Sequence, residues 1–329
     1  MIITRAPFRV SFCGGGSDLP SFYEKYGGCV VSTSIRKYMY LSLHQSFDPN
    51  EIVLKYSKTE IVKKAEEIEH NYFRQILNNF GVKGVEITSV ADIPAGTGLG
   101  SSSAFTIALL HLLYTYKGMF VSKSKLACEA CDIEINQLGN PIGKQDQFAS
   151  AFGGLNFIEF KANGYVDVQP IIMESNSYKM LQHNLMMFYI GGTHSASEIL
   201  QKQSKIISSD EKVQSQLKMC EIARTLKTEL ENNHVDAVGE LLNLNWQYKR
   251  SLVSGISNPI IDDFYNKAIS AGALGGKLLG AGGAGFMLFY VPEEKQKSVR
   301  HACEHLREME FKMDNAGASI IHVERDNVE

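Results

Sequence analysis

Apolar and polar positions alternate along short segments in the first third of the chain, with the period of two that is typical of strands buried on one face. This pattern predicts strands at about 2–13, 29–35, 38–46, 51–57 and 84–91. Charged and apolar residues are interleaved over about 59–80, where the sequence predicts a helix. Further elements complete this half of the chain: helices at about 102–117, 122–138 and 143–152, and strands at about 154–160 and 165–172.

The pattern changes near residue 180. Leu185–Gly191 predicts a strand, and positions 195–252 are almost wholly helical in pattern. A helix then runs from Asn258 to about residue 271, and the chain ends as strand, glycine turn, strand, helix and strand, the last at 318–323. This order indicates an α+β protein of two lobes with mixed sheets, divided into residues 1–180 and 181–329.

Composition narrows the class of protein. The 329 residues are 44% hydrophobic and 21% charged, which are ordinary values for a globular protein. The net charge of −3 predicts no nucleic-acid surface, and no apolar run reaches the length of a membrane span. The chain starts on a strand-like segment without the pattern of a signal peptide. We therefore expect a cytoplasmic protein whose six scattered cysteines are buried thiols.

Residues 93–104 carry the strongest chemical signal. Three glycines alternate with small residues, and three serines then open an apolar run. Glycine allows the backbone to turn at positive φ and to approach a ligand, and free N–H groups at the start of a helix bind phosphate. We therefore predict a nucleoside triphosphate loop, in which a serine hydroxyl can also reach a magnesium ion. The predicted phosphate-binding residues are Pro94, Gly96, Gly98, Leu99, Gly100, Ser101, Ser102 and Ser103.

Two other kinds of glycine-rich nucleotide site fit less well. The loop has no lysine, which a Walker A sequence requires. A dinucleotide-binding fold needs an acidic residue about 20 positions further on, but the first acidic residue after the loop is Glu129. Segment 280–285 matches Gly-x-Gly-x-x-Gly, yet a strand-like run follows it where that fingerprint must open a helix. We interpret it as a strand–turn–strand, and a third glycine cluster stands at 14–16.

A turn rich in glycine and proline precedes a short predicted helix with Asp146 in its first turn. A carboxylate there can simply stabilise the start of the helix. The functional alternative is a carboxylate beside Lys144 that faces a substrate hydroxyl. Phosphoryl transfer needs a phosphate loop, a magnesium ligand, a cation and an orienting carboxylate. Besides the loop, the chain offers Glu134 with Ser102 for the metal, Arg9 with Lys144 as cations, and Asp146 as the carboxylate.

The three glycine segments, in this order and spacing, resemble the three motifs of the GHMP kinases. The first is Arg5-Ala6-Pro7-Phe8-Arg9-Val10 ending in Gly15-Gly16-Ser17-Asp18, the second is 94–104 and the third is 277–286. The likeness spans nearly the whole chain. It implies the two-lobed fold of that family, with an N-terminal α/β lobe that contains a left-handed β-α-β crossover and a ferredoxin-like C-terminal lobe. It also implies that ATP lies between the lobes, with its phosphates on the second motif.

The resemblance assigns roles to individual residues. Ser102 and Glu134 match the magnesium ligands of relatives. Asp146 matches the carboxylate proposed as the base, and Arg9 matches the cation that pairs with it. Lys144 is a further catalytic candidate. The predicted substrate-binding residues come from the first motif, the third motif and the reacting pair: Arg9, Gly15, Gly16, Ser17, Asp18, Asp146, Gly280, Gly282 and Gly283.

Within the family, the runs 5–20, 143–148, 153–156 and 195–200 are similar to the members that phosphorylate the anomeric hydroxyl of D-glycero-D-manno-heptose 7-phosphate. This likeness implies a kinase that uses ATP and Mg²⁺ to make the 1,7-bisphosphate for nucleotide-activated heptose. We then expect the protein to bind small molecules and to bind neither nucleic acid nor a membrane. An L-fucokinase-like sugar-1-kinase and a non-catalytic sugar- or nucleotide-binding relative are the alternatives. Candidates to bind the 7-phosphate are Arg36, Lys37, Lys144, Lys249, Arg250 and Lys277, and His194 is a further substrate candidate.

Overall fold

A computed structural model describes residues 1–191 and 210–324. Its strands are β1 (Ile2–Cys13), β2 (Gly28–Gln45), β3 (Ile52–Lys55), β4 (Thr59–Val62), β5 (Val85–Ala91), β6 (Leu155–Phe160), β7 (Val166–Pro170), β8 (Leu185–Gly191), β9 (Gly275–Leu278), β10 (Gly285–Tyr290), β11 (Arg307–Glu308), β12 (Met313–Asp314) and β13 (Ser319–Val323). Its α-helices are α1 (Pro20–Tyr26), α2 (Asn71–Phe80), α3 (Ser101–Tyr116), α4 (Lys123–Cys131), α5 (Gln145–Phe152), α6 (Ser175–Asn184), α7 (Asp210–Glu231), α8 (Ala237–Leu252), α9 (Pro259–Ser270) and α10 (Gln296–Ala302).

The larger sheet is built around the long antiparallel pair of β1 and β2. Its main strand order is β13-β1-β2-β5-β3-β4, while β6 and β12 also pair with β2, and β7 pairs with β6. Strands β3 and β5 are parallel, and β4 and α2 lie between them in the chain. Helix α3 is apolar and buried along most of its length and packs against β1 and β2. The glycine segment that connects β5 to α3 is therefore held between the sheet and a buried helix.

The smaller sheet is antiparallel and has the strand order β11-β8-β10-β9. Helix α8 packs against β9, and α7 packs against both α8 and β2 of the larger sheet. Trp246 and Phe289 are fully or almost fully buried in the hydrophobic core of this part of the molecule. The third glycine segment forms the turn between β9 and β10, as the strand–turn–strand interpretation predicts.

The C-terminal strands return to the larger sheet. Ser319 of β13 lies opposite Arg5 of β1, and Asp314 of β12 lies opposite Ser34 of β2. Residues from the second half of the chain thus contribute to both sheets. The predicted boundary near residue 180 does not coincide with a division between the sheets.

The predicted helix at 59–80 is wrong over its first half. Thr59–Val62 forms β4, which pairs with β3, and a 3₁₀ turn at Ala65–Glu67 follows it. The β-branched residues of this segment suit a strand, and a neighbouring strand is available to pair with them. Only Asn71–Phe80 is helical, and His70 caps it by accepting a hydrogen bond from the backbone N–H of Phe73 at 3.4 Å.

Other elements differ in extent from the predictions. The two strands expected at 29–35 and 38–46 form the single strand β2. The helix expected at 122–138 consists of α4 and a π-helical turn at Asp132–Gln137, and α6 was not predicted. The helical segment 195–252 is confirmed over α7 and α8, while 192–209 lies outside the described residues. Among the helices of the described ranges, none has the length and apolar character to cross a membrane.

Candidate active site

All three glycine segments line one cavity of about 640 Å³. Gly16 comes from the first segment, Gly98 and Gly100 come from the second, and Gly280 and Gly282 come from the third. Segments that are far apart in sequence are therefore neighbours in the fold, as a shared binding site requires.

The second segment has the geometry of a phosphate loop. Gly96, Gly98 and Gly100 have φ values of +76°, +83° and +75°, which favour glycine. Helix α3 starts at Ser101, and no side chain caps it at Gly100, so its first N–H groups stay available to a ligand. Ser101, together with the two serines that follow it, lines the cavity. The helix start and its dipole can therefore hold an anion here.

Two predicted phosphate-binding residues shape the loop instead of lining the cavity. The carbonyl oxygen of Pro94 accepts a hydrogen bond from the Thr97 hydroxyl at 3.0 Å. Leu99 is buried, and its carbonyl oxygen accepts from the backbone N–H of Arg9 at 3.0 Å. Their contribution is to fix the path of the backbone between the glycines.

The second and third glycine segments are in direct backbone contact. A Cβ atom added at Gly98 would lie 2.6 Å from the carbonyl oxygen of Leu279, and one added at Gly280 would lie 2.5 Å from Cα of Gly98. Such distances leave no room for a side chain. The absence of side chains therefore lets the β9–β10 turn lie directly against the phosphate loop.

Arg9 and Asp146 form a two-point ion pair beside this contact. Nε of Arg9 donates to Oδ1 of Asp146 and Nη2 donates to Oδ2, both at 2.8 Å. The third nitrogen, Nη1, donates to the carbonyl oxygen of Gly98 at 2.6 Å. Arg9 is buried on β1, whereas the Asp146 side chain, in the first turn of α5, remains 23% exposed. The pair thus connects the sheet, the phosphate loop and a partly accessible carboxylate.

Asp18 is a second carboxylate on the cavity wall. Its Oδ1 accepts from the backbone N–H of Gly16 at 3.0 Å, and its Oδ2 accepts from that of Gln145 at 3.2 Å. Burial, and secondly the nearby charge of Asp146, raise the pKa of Asp18 above its ordinary value. Gly143 packs so closely on Asp18 that a side chain there would collide with the carboxylate. The first glycine segment is thereby tied to the start of α5.

Glu134 lies below the start of α3, on the π-helical turn. It is fully buried, and its Oε2 accepts from the hydroxyl of Ser103 at 3.0 Å and from the amide of Gln147 at 3.2 Å. Its Oε1 is buried without a hydrogen-bond partner, and burial raises the pKa of the carboxyl group to about 7. Ser102, which the sequence paired with Glu134, lines the cavity, but Ser103 makes the hydrogen bond.

These residues fit a magnesium ion in their chemistry. Carboxylate and hydroxyl oxygens are hard ligands that Mg²⁺ prefers, and the second oxygen of Glu134 has a free lone pair. In residues 1–191 and 210–324, no group of three or more His, Cys, Asp or Glu side chains is placed to hold a metal. A magnesium ion here would therefore need phosphate oxygens to complete its ligands, as it commonly does in kinases.

Two buried lysines come from the smaller sheet and its helix. Nζ of Lys249, on α8, lines the cavity and donates to the carbonyl oxygen of Gly280 at 2.6 Å. Burial, and secondly the charge of Arg9, lower its pKa to about 8. Nζ of Lys277 donates to the carbonyl oxygen of Ser11 at 2.7 Å, and burial lowers its pKa well below the ordinary value. In the sequence analysis, Lys249 and Lys277 were named only as two of several candidates to bind a phosphate group of the substrate.

Besides Pro94, Leu99 and the buried Glu134, four further predicted site residues are not among those that line the cavity. Lys144 was expected beside Asp146, but its Nζ donates to the carbonyl oxygen of Gly164 at 2.9 Å and lies 4.7 Å from the centre of the Tyr23 ring. The Ser17 hydroxyl instead bonds both the N–H and the carbonyl oxygen of Cys29, each at 3.0 Å. The other two are glycines of the first and third segments, Gly15 and Gly283.

For Lys144 and Ser17, the physical reason is local. Each polar group finds partners in neighbouring strands or turns and is turned away from the cavity. Gly283 is held by its N–H, which donates to the carbonyl oxygen of Ile256 at 3.0 Å. Other cationic candidates, Arg36, Lys37 and Arg250, also lie outside the cavity lining. His194 and the run 195–200 fall outside the described residues.

One end of the cavity is aromatic, and the sequence reasoning missed it. Tyr56, His70, Tyr72 and Phe105 line this end, with the rings of His70 and Phe105 centred 5.3 Å apart. The clustering of His70, Tyr72 and Phe73 at the start of a helix was the signal that the sequence offered. Flat ring faces at the far end of a phosphate loop provide a surface on which a nucleotide base can stack.

A glycine loop at the start of a buried helix, beside a buried arginine paired with a partly accessible aspartate, is an arrangement suited to a small-molecule kinase. The model of the GHMP kinases N terminal domain matches residues 62–154, and that of the GHMP kinases C terminal domain matches residues 226–309. The chain belongs to the GHMP kinase family. The predicted family, fold class and kinase activity are thereby confirmed.

Similar proteins narrow the activity to small-molecule phosphorylation. D-glycero-alpha-D-manno-heptose 7-phosphate kinase of Campylobacter jejuni is 26% identical in an alignment 326 residues long, which covers 94% of this chain and 96% of that protein. Mevalonate kinase of Pyrococcus furiosus is 30% identical in an alignment 273 residues long, which covers 78% of this chain and 75% of that protein. The solved structure of a D-glycero-D-manno-heptose 1-phosphate kinase from Bacteriodes thetaiotaomicron has a TM-score of 0.80 and 25% identity, over 99% of this chain and 100% of that one. These similarities support a sugar kinase of the GHMP family.

Proposed function

We propose that the protein transfers the γ-phosphoryl group of ATP, with Mg²⁺, to the anomeric hydroxyl of a heptose 7-phosphate. The observation that carries this proposal is the two-point bond of Arg9 to Asp146, with both oxygens at 2.8 Å, between the phosphate loop and the first glycine segment. A hydroxyl held there faces a carboxylate on one side and a nucleotide phosphate on the other. Phosphoryl transfer depends on such positioning more than on covalent chemistry.

The exposed part of Asp146 supports a role for it as proton acceptor. The hydroxyl oxygen forms a bond to the γ-phosphorus, the bond from that phosphorus to the bridging oxygen breaks, and ADP leaves with the electron pair. The proton of the hydroxyl passes to the Asp146 carboxylate. An anomeric hydroxyl is more acidic than an ordinary alcohol, so a carboxylate is an adequate base. Arg9 fixes the orientation of the carboxylate through its two parallel hydrogen bonds.

We assign both the phosphates and the base of the nucleotide to the cavity. The start of α3 provides N–H donors for the phosphates, and the aromatic end, lined by Tyr72 and Phe105 among others, provides faces for the base. We assign Mg²⁺ to Glu134 with Ser102 or Ser103, because the Ser103 hydroxyl bonds Glu134 and both serines line the cavity. When bound, that ion would neutralise phosphate charge and orient the γ-phosphoryl group.

The choice of sugar rests on the relatives, and their names differ in one respect. The Campylobacter jejuni relative is a kinase of the heptose 7-phosphate, while the solved structure is named as a kinase of the heptose 1-phosphate. We assign Asp18 to a sugar hydroxyl, because it lines the cavity and backbone donors direct both its oxygens. L-fucose is the second candidate, because L-fucokinase/L-fucose-1-P guanylyltransferase of Bacteroides fragilis is 24% identical over 90% of this chain, which spans 35% of that protein.

ADP release with a panel of acceptors tests the proposal. The panel holds D-glycero-D-manno-heptose 7-phosphate, the corresponding 1-phosphate, sedoheptulose 7-phosphate, L-fucose, galactose, mannose and mevalonate. We expect turnover with the 7-phosphate and a ³¹P spectrum of the product with a new anomeric phosphate. Turnover confined to free L-fucose would replace the heptose proposal by the second candidate. Turnover confined to the 1-phosphate or to mevalonate would refute phosphorylation at the anomeric position of a heptose.

A further inference from the structure

Lys249 is a buried cation without a carboxylate partner. Its exposed fraction is 5%, and its Nζ donates to the carbonyl oxygen of Gly280. Among the ion pairs of the described ranges, within 4.0 Å, none involves Lys249. An ammonium group has three donors, and burying one with a single neutral acceptor is costly. The side chain nevertheless lines the cavity, where an anionic ligand would provide the missing partners.

The surrounding charges do not remove this excess of positive charge. Arg9 on β1 and Lys277 on β9 are the neighbouring cations, and Asp18 and Asp146 are the neighbouring carboxylates. Asp146 is already bound at both oxygens by Arg9, and both oxygens of Asp18 accept from backbone N–H groups. Lys277 also has a single neutral acceptor, but it is not among the residues that line the cavity. Lys249 is therefore the uncompensated cation of this group that a ligand in the cavity can reach.

The position of Lys249 points to a particular anion. Its partner Gly280 belongs to the turn that touches Gly98 of the phosphate loop. The carbonyl oxygen of Gly98 in turn binds Arg9, which holds Asp146. Lys249 thus lies at the junction of the phosphate loop and the reacting carboxylate. During transfer, the phosphoryl group must pass through this junction.

We propose that Lys249 is a further catalytic residue, which donates hydrogen bonds to the γ-phosphoryl group while it moves from the nucleotide to the acceptor. The assignment rests on the proposed phosphoryl transfer but not on the identity of the sugar. Fixed cations stabilise the charge of the transferred group in a site from which water is largely excluded. Helix α8, in the second half of the chain, would thereby complete a site whose loop and base come from the first half.

Nucleotide binding without acceptor gives the first test. The affinities of the wild-type protein and Lys249→Met for ADP and for the non-hydrolysable analogue AMPPNP are measured by calorimetry with Mg²⁺. Only AMPPNP carries a γ-phosphoryl group. We therefore expect the ratio of the AMPPNP affinity to the ADP affinity to be about 10- to 100-fold lower in the variant than in the wild type. Lys267→Met removes an exposed lysine paired with Asp263 on α9 and should leave this preference unchanged. An unchanged preference in Lys249→Met would overturn the assignment.

Stability and turnover separate a catalytic role from a structural one. Methionine resembles lysine in shape without its charge, so Lys249→Met removes the cost of burying an uncompensated ammonium group. We expect an unchanged or higher Tm in the free protein, together with a kcat lower by about 10²- to 10³-fold and an acceptor KM within a few-fold. A lower Tm with kcat retained would mean that Lys249 only holds Gly280. An effect confined to the acceptor KM would mean that Lys249 binds a phosphate of the acceptor, and it would refute the proposal.

The two proposals can fail separately. A wild-type protein that prefers AMPPNP in a Lys249-dependent way but phosphorylates none of the sugars would refute only the choice of sugar. A wild-type protein that binds neither nucleotide would refute both.

Discussion

Asp146 is bound at both oxygens by Arg9, yet nearly a quarter of its side chain is open to the cavity. The first fact fixes its orientation, and the second leaves lone pairs for a substrate hydroxyl. A carboxylate that only stabilised the start of α5 would need neither the buried arginine nor access to the cavity. The residue-scale geometry therefore favours the functional interpretation over the helix-start alternative.

Asp146→Asn should lower kcat by about 10²- to 10⁴-fold, because the amide keeps the shape of the side chain but cannot accept a proton in the same way. The affinity for Mg-ADP should stay within a few-fold, since the phosphate loop is untouched. Steady-state kinetics and calorimetry measure the two effects. Asp263→Asn, at an exposed position of α9, is the matched control and should behave like the wild type. A kcat close to that of the wild type would mean that Asp146 is not the base.

The pKa of Lys249, lowered to about 8, predicts a pH dependence. The charged form is the one that binds phosphate, so kcat/KM should fall as the pH rises through about 8, approaching tenfold per unit. The groups that face Lys249 are Arg9, Asp18, Asp146 and Lys277. In Lys249→Met this fall should disappear from the pH profile. If the fall persisted in the variant, another group, of which Lys277 is the nearest candidate, would be responsible.

At the scale of elements, the site depends on two glycine segments that touch through their backbones. Gly98 has a φ of +83° and faces the carbonyl oxygen of Leu279, so it meets two separate restrictions. A side chain there would both strain the backbone and push the β9–β10 turn away from the phosphate loop. The contact between the segments is therefore a condition for the cavity and not a by-product of it.

Gly98→Ala should weaken AMPPNP binding by at least tenfold, because the added Cβ would lie 2.6 Å from the Leu279 carbonyl oxygen. Gly81→Ala is the matched control. Gly81 also has a positive φ, +58°, but no atom lies within 4 Å of the Cβ that would be added. The control should lose only the stability that backbone strain costs, about 1 kcal/mol, with normal nucleotide affinity. Equal losses of affinity in both variants would mean that strain, and not the contact, matters.

Elements with a strong local pattern were predictable from the sequence, and those fixed by pairing were not. Strands β1, β5 and β8 have nearly the predicted bounds, because each carries a clear apolar pattern within its own sequence. The segment 59–62 was misassigned because its strand exists only by pairing with β3. Similarly, glycine and serine spacing predicted the proposed phosphate loop, whereas nothing local distinguishes Lys249 from an ordinary lysine of a helix. It is buried against Gly280 of its own half and faces Arg9, Asp18 and Asp146 of the first half.

At the scale of the whole molecule, the two halves of the chain are joined by polar contacts next to the cavity. The backbone N–H of Gly14 donates to Oδ1 of Asn245 at 3.1 Å, and its carbonyl oxygen accepts from the amide of Gln216 at 3.3 Å. Lys277 donates to the carbonyl oxygen of Ser11. Three side chains from α7, α8 and β9 therefore bind the backbone around the first glycine segment. The position of that segment depends on the second half of the chain being folded against it.

Asn245→Ala should destabilise the protein by about 1–3 kcal/mol, since it leaves the buried N–H of Gly14 without its acceptor. Urea unfolding followed by the fluorescence of Trp246, the single tryptophan and fully buried, reports this change directly. Gly14 lies in the same segment as Gly16, two residues before it, and close to Asp18 in the chain. The acceptor KM should therefore also rise, and by a larger factor than the factor by which the Mg-ADP affinity falls. Asn232→Ala, at an exposed position of the same half, should change neither quantity. If Asn245→Ala lost stability but kept the wild-type acceptor KM, the contact would join the halves without positioning the sugar side of the cavity.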